Sequence, residues 1–287
     1  MSGKNLFAAI ATDKERLTRQ YQTVFRAPLR SRAMVFSVAA LLLAIFALGL
    51  AGLEISIGRI GGGLVQIGFF LQLMWPPLPG PALPLYLHAM AETLAIALLG
   101  TLAGAVLAFP FALLAARNVV PNWIFHFGAR RFLDSLRSVD ILIWGLIWIN
   151  VVGLGPFAGI LAIASSDFGA FGKIFSELVE ATERRSVEGI RSTGGNGWHE
   201  LRFGILPQVF PVMAGQILYF IESNTRSATI IGAVGAGGIG LHLFEEIRTL
   251  EWQHVAFLVI MLLITVSIID MISSRLRMAI MGRKNRH

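Results

Sequence analysis

The sequence predicts an all-α polytopic membrane protein of about six transmembrane helices, and three observations carry that fold class. Of 287 residues, 55% are hydrophobic and only 14% are charged, whereas a soluble domain carries about a quarter charged residues. The charges are missing in runs long enough to cross a bilayer as helix, and mean hydropathy is +0.69. The basic residues that remain cluster between alternate runs, so the net charge of +7 records topology rather than nucleic-acid binding. The absence of cysteine excludes disulfides, thiolate metal sites and cysteine nucleophiles.

Residues 1–32 read as a cytoplasmic segment. They hold Lys4, Lys14, Arg16, Arg19, Arg26, Arg30 and Arg32, with no short apolar region leading to a cleavage site, so no signal peptide is expected. The transmembrane domain is expected over 33–274. Its first span runs from Ala33 to Leu53 without a charge, long enough for a hydrocarbon core of about 30 Å. The stretch 54–85, with Gly61, Gly62 and Gly63 adjacent and five prolines between Pro76 and Pro84, is expected as an outside loop; whether it holds an interfacial helix before Trp75 stays open.

The second span is expected from about Met90 to Ala116, with Gly100, Gly104 and Ala108 forming a small-residue seam that lets another helix approach. Arg117, Arg130, Arg131 and Arg137 mark an inside loop. Gly153, Gly155 and Pro156 divide the next apolar stretch into a third span, about Leu136 to Val152, and a fourth, about Pro156 to Phe175, which contains Asp167 and Lys173. A fifth begins near Val209 and reaches the glycine-rich 232–240. Glu245, Glu246, Arg248 and Glu251 then make a net negative outer loop. The sixth runs from about Gln253 to Ser274, and 275–287 form a basic cytoplasmic tail. On this layout 21 of the 24 Lys and Arg residues lie inside, a bias that puts both termini in the cytoplasm.

Between the fourth and fifth spans, the expected cytoplasmic loop 176–207 carries a glycine-broken polar stretch from Glu188 to Pro207. Its apolar residues Val187, Ile190, Trp198, Leu201 and Ile205 fall at helical spacing, interrupted at Gly194, Gly195, Asn196 and Gly197. One apolar face on a polar segment suits docking into a groove of another protein. The stretch resembles the EAA loop of ABC importer permeases: Glu-Ala-Ala, three residues, Gly, nine residues, Ile-x-Leu-Pro. Glu188 takes the Glu position, Gly194 the glycine, and Leu206 and Pro207 the Leu-Pro. Gly189 and Ile190 replace the two alanines, and Gly204 replaces the isoleucine.

The resemblance extends over about 90–280. Gly153-Leu154-Gly155-Pro156-Phe157-Ala158-Gly159, Leu206-Pro207-Gln208, Glu222-Ser223-Asn224-x-Arg226-Ser227-Ala228-Thr229 and Gly235-Ala236-Gly237-Gly238-Ile239-Gly240 look like the phosphonate ABC importer permeases of the PhnE type, in the binding-protein-dependent transport inner-membrane component family. That resemblance implies a type I ABC importer permease fold in a bacterial inner membrane. It also implies a second copy of the permease, a cytoplasmic ABC ATPase dimer that holds the ATP and Mg, and a periplasmic substrate-binding protein delivering phosphonate, phosphite or phosphate. Glu188, Gly189, Gly194, Trp198, Leu201, Leu206 and Pro207 are then the residues expected to couple to the ATPase.

Glu222 and Arg226 stand four apart in the fifth span, each costly alone at membrane depth. They are expected to pair along the helix, with Arg226 also balancing an oxyanion in a translocation path that Asn224 and Thr229 supply with donors. Gly235-x-Gly237-x-x-Gly240 matches a dinucleotide-binding pattern in spelling alone, since no strand precedes it. With Gly238, these glycines are expected to form a bend or gate, tolerated where protein or water surrounds the backbone. No Walker lysine pattern occurs, the histidines show no ligand-like clustering, and no nucleophile stands with a base, so the chain reads as a non-catalytic subunit with no bound cofactor or metal. The rival readings are a permease for another small solute such as methionine, and an ion-coupled carrier using Glu222 and Arg226.

Overall fold

The structure, a computed structural model, describes residues 29–52, 57–120 and 122–282. The expectations for residues 1–28 and for Arg283, Lys284 and Arg286 lie outside the described residues. The chain divides into two units, Met1–Phe69 and Phe70–His287. In the first, α1 (Leu29–Gly52) contains the apolar stretch Ala33–Gly52 at mean hydropathy 2.6, matching the expected first span. α2 (Ile57–Leu73) starts there. The supposed outside loop is therefore helical for half its length, because its three adjacent glycines sit among apolar residues that sustain the turn.

The second unit is helical throughout its ordered core, and among the described residues there is no strand. α3 (Leu83–Ala115) begins earlier than expected, since Pro84 occupies the first turn, where its missing N–H costs nothing. Beyond it come α4 (Trp123–Arg137), α5 (Ile141–Val152) and α6 (Pro156–Glu180). Then follow α7 (Arg184–Ser192), α8 (Leu206–Ile231), α9 (Gly238–Thr249) and α10 (Trp252–Gly282). Among the described residues five helical stretches are long and apolar enough to span a membrane, and there are six if α4 and α5, bent by 86°, count together as one broken span.

That bend corrects two expectations. The stretch read as an inside loop before Arg137 is α4, an amphipathic helix whose His126 and Leu133 are buried. The third span does not start at Leu136. Ser138 and Val139 turn the chain, and Asp140 caps α5 by accepting from the Leu142 N–H at 2.8 Å. At 12 residues, α5 is only about 18 Å long, short of a hydrocarbon core of about 30 Å. The fourth span runs on to Glu180, past both Asp167 and Lys173; Lys173 reaches Asp134 of α4 at 3.3 Å.

The core rests on α3 against α6. A side-chain carbon at Gly100 would lie 2.7 Å from Ile163 Cβ, and one at Gly104 would lie 2.8 Å from Asp167 Cβ. The small-residue seam is thus where the two backbones meet. Below it Phe171, Phe175 and Val179 of α6 pack with Ala108 and Ala112 of α3 and with Leu201, Ile205 and Val209 leading into α8. This cluster anchors the start of α8 and hence both candidate sites.

Candidate coupling segment and translocation cavity

The coupling segment folds as α7, a turn over 193–196, a helical turn Gly197–His199, and a π-helical stretch Glu200–Ile205 that continues into α8. Gly194 takes φ +85° at the turn, a conformation that favours glycine. Asn196 caps the next turn, its Oδ1 accepting from the His199 N–H at 3.1 Å. Arg191 closes the hairpin: Nε and a terminal nitrogen donate to the two Glu200 oxygens, each at 2.9 Å. This pairing holds the Glu200 carboxyl below the usual carboxylate range and raises Arg191 further. Gln208 ties α8 to the start of α7. Its Oε1 accepts from the Glu183 N–H at 3.0 Å, and its Nε2 donates to the Gly204 carbonyl at 2.6 Å.

The apolar stripe does not face outward as expected. Leu201 and Ile205 are buried, Val187 and Ile190 are half-buried, and Val187 joins the α3–α6 cluster. Of the five, Trp198 alone projects, 78% exposed. The stripe fastens the segment to its own domain, because the cluster around Phe175 offers the nearer apolar surface. Glu188, Gly189, Gly194, Trp198 and Pro207 are exposed, and Leu206 is half-buried. Two of the three sequence departures meet here: a side-chain carbon at Gly204 would lie 3.2 Å from Ile190 Cδ1 and 3.4 Å from Val187 Cα. The larger residue at 190 fills space left by the smaller one at 204.

Of the four residues assigned to a translocation path, Glu222, Arg226 and Thr229 fall on one side of α8 and Asn224 on the other, since successive helical residues turn by about 100°. Glu222 is buried and faces α10, with Arg226 at 3.7 Å and Arg277 at 3.4 Å. Arg277 also lies over the Tyr219 ring, 5.7 Å from its centroid. Sequence reading placed Arg277 in a tail, yet α10 carries it back to Glu222. Arg226 remains half-exposed. Thr229 is buried, its hydroxyl donating to the Thr225 carbonyl at 3.3 Å. Only Asn224 borders the neighbouring cavity, which measures about 280 Å³ and takes its other polar walls from Arg137, Asp140, Ser166, Asp167, Ser223 and Ser227. Asn224 Nδ2 donates to Asp167 Oδ2 at 2.6 Å and to Thr101 Oγ1 at 2.8 Å. The hydroxyls of Ser223 and Ser227 were legible as a four-residue spacing; Ser166 and Asp167 were not, because the α6–α8 contact brings them in.

At the far end of α8 the helix loosens into a π turn, Gly232–Ala236, and breaks at Gly235 with φ +114°. The Gly235 carbonyl accepts from the Gly155 N–H at 3.0 Å, and the Ile239 N–H donates to Thr93 Oγ1 at 2.8 Å. Gly237 and Gly238 also take positive φ, beside Glu92 and Thr93 of α3. A side chain at Gly240 would collide with the Thr229 carbonyl oxygen. The glycine run is thus a bend that lets three backbones pack closely. Beyond it, the acidic stretch expected as a loop belongs to α9, where Glu246 accepts from the Tyr86 hydroxyl at 2.7 Å.

Residues 108–284 match the family of binding-protein-dependent transport system inner membrane components. The chain belongs to this family. HtxC of Stutzerimonas stutzeri, named for a phosphite transport system permease, is 35% identical over 250 residues, which are 87% of this chain and 88% of that protein. PhnE of Mycolicibacterium smegmatis, named as a phosphate-import permease, is 36% identical over 212 residues, 74% of this chain and 40% of that longer protein. In fold, the chain is similar to one chain of the MetNI methionine ABC transporter in an inward-facing conformation. The TM-score is 0.61 at 20% identity, over 71% of this chain and 99% of that one. As a component of a binding-protein-dependent transport system, this multi-pass chain serves transport alongside other subunits. The matched region takes in the candidate coupling segment, the polar walls of the cavity and the glycine bend.

Proposed function

We propose that the protein is the permease subunit of an ATP-driven importer for phosphorus oxyanions (phosphonate, phosphite or phosphate) in a bacterial inner membrane. The observation that carries this reading is the likeness to HtxC along nearly the full length of both chains. In this reading both termini and the coupling segment are cytoplasmic, and two copies of the chain form the transmembrane pathway. Trp198 and the exposed edge around Glu188, Gly189, Gly194 and Pro207 dock in a groove of an ABC ATPase dimer, which binds ATP and Mg. Leu201 and Leu206 hold that edge in place. A periplasmic binding protein delivers the solute near the glycine bend of Gly235, Gly237, Gly238 and Gly240, which acts as the gate.

Closure of the ATPase dimer pushes α7. Because Arg191–Glu200 and Gln208 join α7 to α8, the push reaches the helix that carries Ser223, Asn224 and Ser227. Arg226, half-exposed and paired only at 3.7 Å, is free to balance a passing anion, while Glu222 and Thr229 support the helix. Contacts in such a path stay weak, since tight binding traps the cargo.

The test is co-purification with the ATPase together with uptake of radiolabelled phosphite or methylphosphonate. Gly194→Arg, which places a long side chain at a φ +85° position, and Glu188→Lys are expected to abolish both. Wild-type association and uptake in either variant sink the coupling role. Phosphite uptake that survives loss of ATP but not of the proton gradient favours an ion-coupled carrier instead.

A further inference from the structure

We infer that the Asp167 wall of the cavity selects oxyanions that still carry a proton, so that the solute crosses with one P–OH group donating to the Asp167 carboxylate. The inference rests on the proposed phosphorus-oxyanion transport and adds the protonation state of the cargo and the residue that reads it.

Asp167 lies in the middle of α6, 3% exposed, and is held rather than free to swing: Asn224 of α8 donates to its Oδ2 at 2.6 Å, and the same amide donates to Thr101 of α3. It nevertheless borders the cavity. At about 280 Å³, this space has the volume of roughly nine waters, enough for a tetrahedral anion that keeps part of its hydration. The hydroxyls of Ser166, Ser223 and Ser227 supply donors for its charged oxygens. The charged and titratable groups on the same walls are Arg137 and Asp140 from the α4–α5 bend and Tyr219 from α8. Asp140 keeps its charge while it caps α5, so Arg137, Asp140 and Asp167 together set the local charge.

An ionised carboxylate only accepts hydrogen bonds. A tetrahedral anion without a proton offers Asp167 no donor and meets like charge in a low-dielectric site. Two such groups settle together by holding one proton between them. A phosphite, phosphonate or phosphate monoanion brings that proton on a P–OH; sulfate, equal in shape, has none near neutral pH. The proton stays with the solute, and no bond to phosphorus is made or broken. The cavity thus applies a second selection after the binding protein has applied its own.

The experiment uses the permease reconstituted in liposomes with its ATPase and a saturating amount of its binding protein. Phosphite uptake is divided by ATP hydrolysis at each pH, and phosphite binding to the binding protein is measured in parallel to confirm saturation. The second ionisation of a phosphoryl group lies near pH 6, so wild-type uptake per ATP is expected to fall about tenfold per pH unit above it. Asp167→Asn keeps the contact with Asn224 and removes the charge, and its profile is expected to stay flat to within about twofold over that interval. A flat wild-type profile overturns the inference, as does an Asp167→Asn profile that falls as steeply as wild type. If the asparagine variant is not recovered in liposomes, Asp167→Ser carries the same comparison. Absence of ATP-driven uptake of phosphite, phosphate and methylphosphonate alike by wild type at every pH refutes the oxyanion-importer reading itself, which separates the two failures.

Discussion

Placing isoleucine at position 204, where the related loop pattern has it, should destabilise this protein unless Ile190 is shortened at the same time. The first added carbon would lie 3.2 Å from Ile190 Cδ1 and 3.4 Å from Val187 Cα and Cγ2, so Val187 and Ile190 must give by a few tenths of an ångström before the rest of the side chain is placed. Overpacking of this kind costs about 1–3 kcal/mol. Replacing glycine in a helical stretch returns about 0.5 kcal/mol, leaving a loss of about 1–2 kcal/mol for Gly204→Ile. Ile190→Ala alone empties a half-buried site and should cost about 1–2 kcal/mol, below the range for a fully buried isoleucine. The double variant conserves volume and should cost no more than about 1 kcal/mol, a favourable coupling of about 1–3 kcal/mol for residues in contact. Equilibrium unfolding of the detergent-solubilised protein measures all four forms. If the double variant loses the sum of the two single losses, the two departures do not compensate and α7 does not rest on Gly204.

Three further outcomes follow from other contacts. Arg277→Ala leaves buried Glu222 with only Arg226 at 3.7 Å and should cost about 1–3 kcal/mol, largely recovered by adding Glu222→Gln; no recovery means that Arg277 acts through Tyr219 instead. Gly240→Ala drives a carbon into the Thr229 carbonyl oxygen and should lower stability by about 1–3 kcal/mol, seen as a lower Tm; an unchanged Tm contradicts the close α8–α9 approach. Arg191 holds the Glu200 carboxyl below its ordinary range. Its contribution is therefore present above that range and lost as pH falls through the depressed value, while Arg191 stays cationic. The hydrogen-exchange protection of the Gly195 amide, which donates to the Ile190 carbonyl at 3.1 Å, should fall in acid relative to the intrinsic rate in wild type and show no such step in Glu200→Gln.

The span layout was legible because a bilayer imposes a length and an apolarity that show in any window of the chain. The stretches beginning at Ala33, Pro156 and Trp252 illustrate this. α4 was not legible as a helix, since its arginines looked like topology markers and its buried residues, His126 and Leu133, are few. The candidate coupling segment was legible by its spacing, but its apolar stripe packs on its own domain. Helical spacing says that Val187, Ile190, Leu201 and Ile205 share a face, and it does not say which surface that face meets. The path residues divide for a similar reason: Glu222, Arg226 and Thr229 fall on one side of α8 and Asn224 on the other, so closeness in sequence does not put all four against one cavity.

By itself, then, the sequence determined the class of solvent, the place of the polar segment and the glycine bend, because each is local in the chain. Only the tertiary structure decided that Arg277 returns to Glu222, that Ile190 fills the space above Gly204, and that Asp167 joins Ser166, Ser223 and Ser227 around one cavity. These pairings join residues on different helices: α10 meets α8, α7 meets the π-helical stretch and α6 meets α8, and no single stretch encodes which helix approaches which.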